Sequence, residues 1–228
     1  MKKEILVFSL GGSLIVPDNV DYIYLKKFSK MIQKLSKKYK IIIVTGGGKT
    51  ARNYITAIKK EKLGIKNESL VGIMSTKLNA RLVAGFFKIK TQIPDSLQEI
   101  KKQIEKEDII ICGALGFQPN MTSDGDAAQI SQYLKSDVFI NLTNVNGLYD
   151  KDPKKYKDAK LISSITHKEF LKIVKKIKYE SGQHFVLDQV ATKIILKNKI
   201  KTLILNGANI KNINKCLSGD MFIGTLIS

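Results

Sequence analysis

The chain has 228 residues, of which 43% are hydrophobic and 26% are charged, and this composition excludes a disordered or fibrous protein. Its formal net charge is +19, and its two cysteines, Cys112 and Cys216, stand far apart without the spacing of a metal site or a disulfide framework. We therefore expect a reducing, cytoplasmic environment. No apolar run approaches the length of a membrane span, and the apolar run near the N-terminus is too short for a signal peptide.

Two interpretations of the positive charge are possible, nucleic-acid binding or a lysine-rich solvated surface. The lysines are scattered over predicted helix faces, as at residues 26–27 and 37–38, and no basic stripe with interleaved aromatic residues is present. This pattern favours the solvated surface, so no nucleic acid is expected as a partner. A polyphosphate substrate would also be attracted by the field of the protein.

The predicted elements alternate between strands and helices along the chain. Buried-type apolar runs predict strands at residues 4–10, 41–44, 109–112, 138–142, 201–205 and 222–227. Apolar residues at helical spacing, with caps and stops, predict helices at residues 21–38, 49–60, 70–87, 95–105, 124–134, 168–176 and 189–197. The alternation predicts an α/β fold, a three-layer α/β/α sandwich around a central, mostly parallel sheet. Ligands of such folds lie beyond the carboxyl ends of the strands.

Two glycine turns follow the first two predicted strands directly. The first is Gly11-Gly12-Ser13, and the second is Gly46-Gly47-Gly48, after which Lys49 and Arg52 fall where a helix would begin. A bare-backbone turn at a helix N-terminus is a cradle for anions, although a single glycine run is equally well a plain tight turn. Two such runs facing one cleft indicate transfer between two phosphorylated molecules, a donor and an acceptor.

The sequence Gly48-Lys49-Thr50 imitates the end of a P-loop. That motif needs another glycine five positions earlier, where this chain has Ile43 inside a strand. No later strand ends in an acidic residue that would hold magnesium. These two departures exclude the P-loop NTPases.

Two further loops follow strands at the same predicted edge. In residues 113–124, Thr122 and Ser123 offer hydroxyl groups at a helix start, with Asp124 as a helix cap or a ligand contact. A plain capped helix would also explain Ser123 and Asp124. Residues 141–153 combine a strand end, an Asn-Gly turn, an aromatic residue (Tyr149) that could stack on a base, and an Asp-Pro stop.

These four loops, in this order, resemble the amino-acid kinase superfamily, and within it the archaeal-type uridylate (UMP) kinases. The resemblance covers nearly the full length. It is carried by residues 44–52, Gly72-Ile73 with Leu78-Asn79-Ala80, Gly116-Phe117-Gln118-Pro119, residues 143–153 and residues 187–194.

The resemblance implies phosphoryl transfer from ATP to UMP with Mg²⁺, giving ADP and UDP. It implies one amino-acid kinase domain over residues 1–228, with an acceptor-binding part at about 1–135 and an ATP-binding part at about 136–228. It further implies a homohexamer. No metal site formed by protein side chains alone is expected.

The resemblance also assigns roles to residues. UMP would be held by Gly47, Gly116, Phe117, Gln118, Pro119, Asn120, Met121, Thr122 and Ser123. ATP would be held by Gly11, Gly12, Ser13, Gly48, Arg52, Thr143, Tyr149 and Asp152. Lys193, Arg52 and Gly12 would act at the transferred phosphoryl group. Two arguments from the residues stand beside these roles. Lys193 alone reads as a solvated lysine and Tyr149 as a core residue, whereas an arginine in so lysine-rich a chain indicates bidentate phosphate contact.

The chain departs from the family pattern at four positions. Many relatives have a lysine where Ser9 stands, an aspartate at the position of Ser69, which touches the ribose of UMP, and an aspartate at that of Asn146. Asp126 falls at a normally apolar helix position, which the sequence does not explain. Two alternatives therefore stay open: a kinase of the superfamily for an amino acid, a carbamate or isopentenyl phosphate, and a nucleotide- or nucleic-acid-binding regulator without turnover.

Overall fold

The computed structural model describes residues 3–118, 121–153, 155–176 and 186–228. Its strands are β1 (Glu4–Leu10), β2 (Tyr39–Thr45), β3 (Ile109–Cys112), β4 (Val138–Thr143), β5 (Ser164–Ile165), β6 (Thr202–Asn206) and β7 (Thr225–Ile227). Its helices are α1 (Gly12–Ile15), α2 (Tyr22–Leu35), α3 (Gly48–Lys60), α4 (Ile65–Phe86), α5 (Leu97–Lys106), α6 (Ser123–Leu134), α7 (His167–Lys176), α8 (Gln189–Asn198) and α9 (Ile210–Ser218).

The strands form one seven-stranded sheet in the order β3-β2-β1-β4-β6-β7-β5. All neighbours pair in parallel except β6 and β7, so the prediction of a mostly parallel sheet is confirmed. Strand β1 lies between β2 and β4, with Leu10 opposite Thr45 on one side and Leu142 on the other. The turns after these three strands therefore meet at one edge of the sheet.

Helices cover both faces of the sheet, because consecutive side chains of the central strands point to opposite faces. On β1, Leu6 and Phe8 belong to a buried cluster with α2, α4 and α9, whereas Val7 belongs to a second cluster with α5, α6 and α8. Full burial of each such side chain contributes about 1.5–3 kcal/mol. The predicted three-layer α/β/α arrangement is confirmed.

Three elements were not predicted, and one predicted strand was too long. The four-residue helix α1 and the two-residue strand β5 are too short for a periodic signal. Helix α9 follows the turn-like run Asn206-Gly207-Ala208-Asn209, and it begins with the Asn209 side chain accepting the backbone N–H of Asn212. The strand predicted at residues 222–227 contains only its last three residues, Thr225–Ile227.

Among the described residues, no helix combines the length and the apolarity needed to cross a membrane.

Candidate functional site

The two glycine turns touch each other backbone to backbone. A Cβ atom on Gly12 would lie 2.0 Å from the amide nitrogen of Gly48 and 2.7 Å from the carbonyl carbon of Gly46. Gly48 has a φ of +61°, a conformation that glycine adopts without strain. Glycine is therefore required on both sides of this contact.

Hydrogen bonds fix the position of the second turn. The N–H of Gly46 donates to the carbonyl of Leu10 at 2.9 Å, and the N–H of Lys49 donates to the carbonyl of Val16 at 2.9 Å. The buried amide of Asn79, on α4, donates to the carbonyl of Gly46 at 2.8 Å. Buried backbone groups need hydrogen-bond partners, and the Gly46 carbonyl lies beyond the end of β2. The Asn79 side chain provides the partner of this carbonyl.

Helix α3, which the second turn opens, has an uncapped N-terminus. Its first flanking residue is Gly47, which has no side chain to accept a backbone N–H. By contrast, Asp21, Ser96, Thr122, Asp188 and Asn209 cap α2, α5, α6, α8 and α9 through their side chains. In the first turn of α3 the N–H of Lys49 is bonded to Val16, whereas no hydrogen bond within the described residues engages the N–H groups of Gly48 and Thr50, which are thus available to an anion.

A cavity of about 360 Å³ opens beside this helix start, between α3, α4 and the chain that follows β3. We call it the acceptor cavity. Its lining includes the predicted acceptor residues Gly47, Gly116, Phe117, Gln118, Met121, Thr122 and Ser123. Ser69 lines it as well. Pro119 and Asn120 lie outside the described residues, and the role of the whole set stays a prediction.

A buried polar network supports the walls of the acceptor cavity. The Thr45 hydroxyl, at the end of β2, donates to the Thr76 carbonyl at 2.9 Å. The Thr76 hydroxyl in turn accepts the backbone N–H of Ala114 at 2.8 Å. A Cβ atom on Gly113 would lie 2.7 Å from that hydroxyl oxygen, so the chain after β3 packs closely on α4. Sequence reasoning missed Thr45 and Thr76, because a buried threonine has no local signature.

The start of α6 differs from the prediction. Thr122, rather than Ser123 or Asp124, caps the helix by accepting the backbone N–H of Asp124 at 3.2 Å. The Thr122 hydroxyl also donates to the carboxylate of Asp188, which accepts the N–H of Gly125 at 3.0 Å. Thr122 is therefore engaged within the protein, whereas no hydrogen bond within the described residues engages the Ser123 hydroxyl.

Ser9, one of the positions at which the resemblance predicts another residue, is fully buried in β1. Its hydroxyl donates to Asp124 at 2.5 Å. Burial raises the pKa of Asp124 to about 6, the Ser9 hydrogen bond opposes that shift, and the charge of Asp188 adds to it. In the described part of the chain no basic side chain pairs with Asp124, so a hydroxyl here takes the place of a cation.

Asp126 contacts the acceptor cavity from α6 and is only 1% exposed. One carboxylate oxygen accepts the backbone N–H of Leu115 at 3.1 Å, which joins α6 to the chain after β3. Burial raises the pKa of Asp126 to about 7, the Leu115 hydrogen bond lowers it, and the charge of Asp188 raises it. An aspartate thus occupies a position where the helix pattern predicts an apolar residue.

The predicted ATP-binding residues follow β1 and β4 at the same edge of the sheet. The N–H of Gly11 donates to the carbonyl of Leu142 at 3.1 Å, and the N–H of Gly207 donates to the carbonyl of Thr143 at 2.8 Å. Tyr149 forms an isolated antiparallel bridge with Leu161 and is only half-buried, so it is not a core residue. The backbone of Asp152 accepts the N–H groups of two following residues.

Arg52 and Lys193, the predicted cations, are both exposed. The Arg52 guanidinium, on α3, donates to the Pro17 carbonyl at 3.2 Å. Lys193 lies on α8, whose start is held beside the start of α6 by Asp188. The structure does not bring either cation into the lining of the acceptor cavity.

The model of the family described as "Amino acid kinase family" matches residues 4–206. The chain belongs to the amino acid kinase family. Among curated relatives, the uridylate kinase of Methanobrevibacter smithii is 31% identical over 224 residues, which cover 97% of this chain and 98% of that protein. The uridylate kinase of Thermococcus kodakarensis is 36% identical over 203 residues, covering 88% and 89%.

Solved structures of this family agree with the architecture. Uridylate kinase from Archaeoglobus fulgidus matches with a TM-score of 0.85 and 31% identity, covering 99% of this chain and 100% of that one. UMP kinase from Ureaplasma parvum matches with a TM-score of 0.83 and 25% identity, covering both chains fully.

Proposed function

We propose that the protein transfers the γ-phosphoryl group of ATP to UMP, giving ADP and UDP. One observation carries the proposal: the interlocked glycine turns at Gly12 and Gly48 join the acceptor cavity to the turns that follow β1 and β4. A donor bound at β1 and β4 and an acceptor bound beside α3 would thus meet end to end. Phosphoryl transfer needs this kind of positioning more than it needs covalent chemistry.

The two parts of the chain divide the substrates between them. Residues of the N-terminal part, at about 1–135, bind UMP through Gly47 and the chain at 116–123. The phosphate contacts the Ser123 hydroxyl and the uncapped start of α3. The C-terminal part, at about 136–228, binds the adenosine of ATP through Thr143, Tyr149 and Asp152, while Gly11, Gly12 and Ser13 hold its phosphates.

The reaction needs cations more than it needs a base. The acceptor oxygen of UMP is already anionic at neutral pH, because the second pKa of a phosphate monoester is about 6. Lys193 and Arg52 offset the negative charge that spreads over the transferred group. Gly12 and Gly48 allow both phosphates to approach the backbone.

Mg²⁺ fits this site as a companion of ATP. No three His, Cys, Asp or Glu side chains converge into a metal site within residues 3–118, 121–153, 155–176 and 186–228. Mg²⁺ commonly keeps several waters and binds mainly through substrate phosphates. The nucleotide phosphates would hold the ion, which would neutralise their charge.

The family resemblance also supports a cytoplasmic homo-oligomer, a hexamer. On α4 the exposed side chains of Leu70, Met74 and Leu78 recur every four residues and form an apolar face. Burial of this face against another copy would remove apolar surface from water.

A coupled assay with ATP, Mg²⁺ and a panel of acceptors tests the proposal. The panel contains UMP, CMP, glutamate, carbamate and isopentenyl phosphate. We expect ADP formation to depend on UMP and to yield UDP. Turnover with another member alone would assign the chain to another branch of the family. No turnover, together with salt-sensitive DNA binding, would identify a regulator.

A further inference from the structure

We propose that binding of the acceptor phosphate is linked to a proton: the site takes up a proton on the Asp126 carboxyl when the acceptor binds. This inference rests on the proposed function, since it concerns the same cavity. It concerns a buried carboxyl group at a position of α6 where the helix pattern predicts an apolar residue.

The first argument is the position of the carboxyl group. Asp126 lines the acceptor cavity on the same face of α6 as Ser123, three residues earlier. One of its oxygens is bonded to the N–H of Leu115, and the other has no hydrogen-bond partner within the described residues. An acceptor whose phosphate reaches Ser123 would bring its charge next to this carboxyl.

The second argument is the charge of the cavity lining. The charged side chains in that lining are Lys59, Glu68 and Asp126. Lys59 and Glu68 form an ion pair of 3.6 Å and offset each other. The protonation state of Asp126 therefore determines the net charge of the cavity lining. This net charge is negative when Asp126 is ionised and zero when Asp126 is protonated. A phosphate dianion favours the neutral lining.

The third argument is the set of groups that face Asp126. Asp124 lies on its own helix, Asp188 lies at the start of α8, and the charge of Asp126 also acts on the buried thiol of Cys112 in β3. Burial raises the pKa of the Cys112 thiol, so that thiol stays neutral. Asp95, before α5, adds a further negative charge near Cys112. No described cation pairs with Asp126, and its raised pKa of about 7 makes the proton available at neutral pH.

The hydrogen bond to Leu115 needs an acceptor oxygen but no charge. An Asp126→Asn variant keeps an acceptor oxygen of the same shape and loses only the titration. This separates the positioning of the chain after β3 from the proposed proton uptake. Asp220→Asn is the matched control, because Asp220 is exposed and lies away from the cavity, after α9.

The experiment is titration calorimetry with UMP alone, in two buffers of different ionisation enthalpy, from pH 7 to pH 8.5. In this range the phosphate of UMP is already a dianion. We expect the wild type and Asp220→Asn to take up part of a proton, and their Kd for UMP to rise about tenfold over this range. One proton can raise Kd at most tenfold per pH unit, about thirtyfold over 1.5 units, and a group that titrates within the range gives less than this limit. Asp126→Asn should take up no proton and keep a flat Kd.

Three results would overturn the proposal, and the last of them is distinguishable from the first two. UMP binding by the wild type without proton uptake and with a flat Kd would overturn the proton linkage alone, as would equal uptake by Asp126→Asn. Failure of the wild type to bind UMP at any pH would overturn the proposed function together with this inference. Even if the Asn variant does not fold, the pH series on the wild type tests the proton linkage, because a flat Kd without proton uptake would overturn it.

Discussion

The acceptor and donor sides of the site are built differently. On the acceptor side, Thr45, Thr76 and Asn79 tie β2, α4 and the chain after β3 into buried walls around one cavity. On the donor side, the predicted contacts are spread over the turns after β1 and β4 and over α8. The comparison teaches that packing within the protein holds the walls of the acceptor cavity, whereas we expect the predicted donor contacts to be completed only by a bound nucleotide. The backbone contact of Gly12 with Gly46 and Gly48, which we call the glycine junction, belongs to both sides.

Substitution at the glycine junction should have the largest effect, because it damages both sides at once. A Cβ on Gly12 would meet backbone atoms of the second turn that cannot move independently. We expect Gly12→Ala to lower the free energy of unfolding by about 3 kcal/mol or more and to abolish turnover. Urea unfolding and the coupled assay measure the two effects.

The control for that variant is Gly85→Ala on α4, where a new Cβ meets nothing within 4 Å. Gly85 lies in the last turn of α4, so alanine there should raise the free energy of unfolding by at most about 0.5–1 kcal/mol, the gain expected in a helix interior. A Gly12→Ala protein as stable and active as Gly85→Ala would contradict the interlocked turns.

Loss of the Lys193 ammonium group, the predicted cation on the donor side, should slow the chemical step and leave acceptor binding unchanged. We expect Lys193→Met to reduce kcat roughly 10²–10³-fold, the range seen when one transition-state contact is removed, with little change in KM for UMP. Lys197→Met, an exposed lysine on the same helix, is the control. Equal losses of kcat in the two variants would show that Lys193 is an ordinary solvated lysine without a role in transfer.

Replacement of Arg52 by lysine should have a smaller effect, because lysine retains the positive charge. Arg52→Lys loses the planar guanidinium, so kcat/KM for UMP should fall about tenfold. Arg81→Lys is the control, since Arg81 donates to backbone carbonyls at Thr91 and Ile89. An unchanged kcat/KM in Arg52→Lys would remove Arg52 from the site.

The smallest expected effect is on the free energy of unfolding of the unliganded protein, through Asp126 in the lining of the acceptor cavity. The pKa of Asp126 is raised on folding, so the folded protein binds more protons than the unfolded chain between about pH 4 and pH 7. Stability should therefore fall as pH rises through that window. Asp126→Asn should be more stable than the wild type at pH 8, by about 1–2 kcal/mol, and show no such gain at pH 4. Urea unfolding at both pH values provides the measurement, and a gain of equal size at pH 4 would contradict the assignment.

The sequence predicted those parts of the molecule that depend on local pattern. The bounds of β1 and β3 match the prediction, and the glycine turns after β1 and β2 do meet, because neighbouring parallel strands end at one edge. Helix α9 was not predicted, although its apolar residues recur at helical spacing, because the turn-like residues 206–209 precede it and asparagines interrupt its first turns.

The side-chain contacts at the start of α6 depend on distant parts of the chain. The Thr122 hydroxyl reaches Asp188, and Ser9 reaches Asp124, across 66 and 115 residues of sequence. No local pattern contains such a pair. The same holds for Asp126, whose role became visible only when the fold placed it against Leu115 and the cavity.

Transfer of a labelled phosphoryl group tests the central claim most directly. The protein is mixed with ATP labelled at the γ-phosphate, Mg²⁺ and UMP, and the nucleotides are separated after one or a few turnovers. We predict that the label appears in UDP, only when UMP is present, and that Gly12→Ala abolishes the transfer while Gly85→Ala retains it. Label that remains in ATP, or that appears as free phosphate in the presence of UMP, would contradict the account.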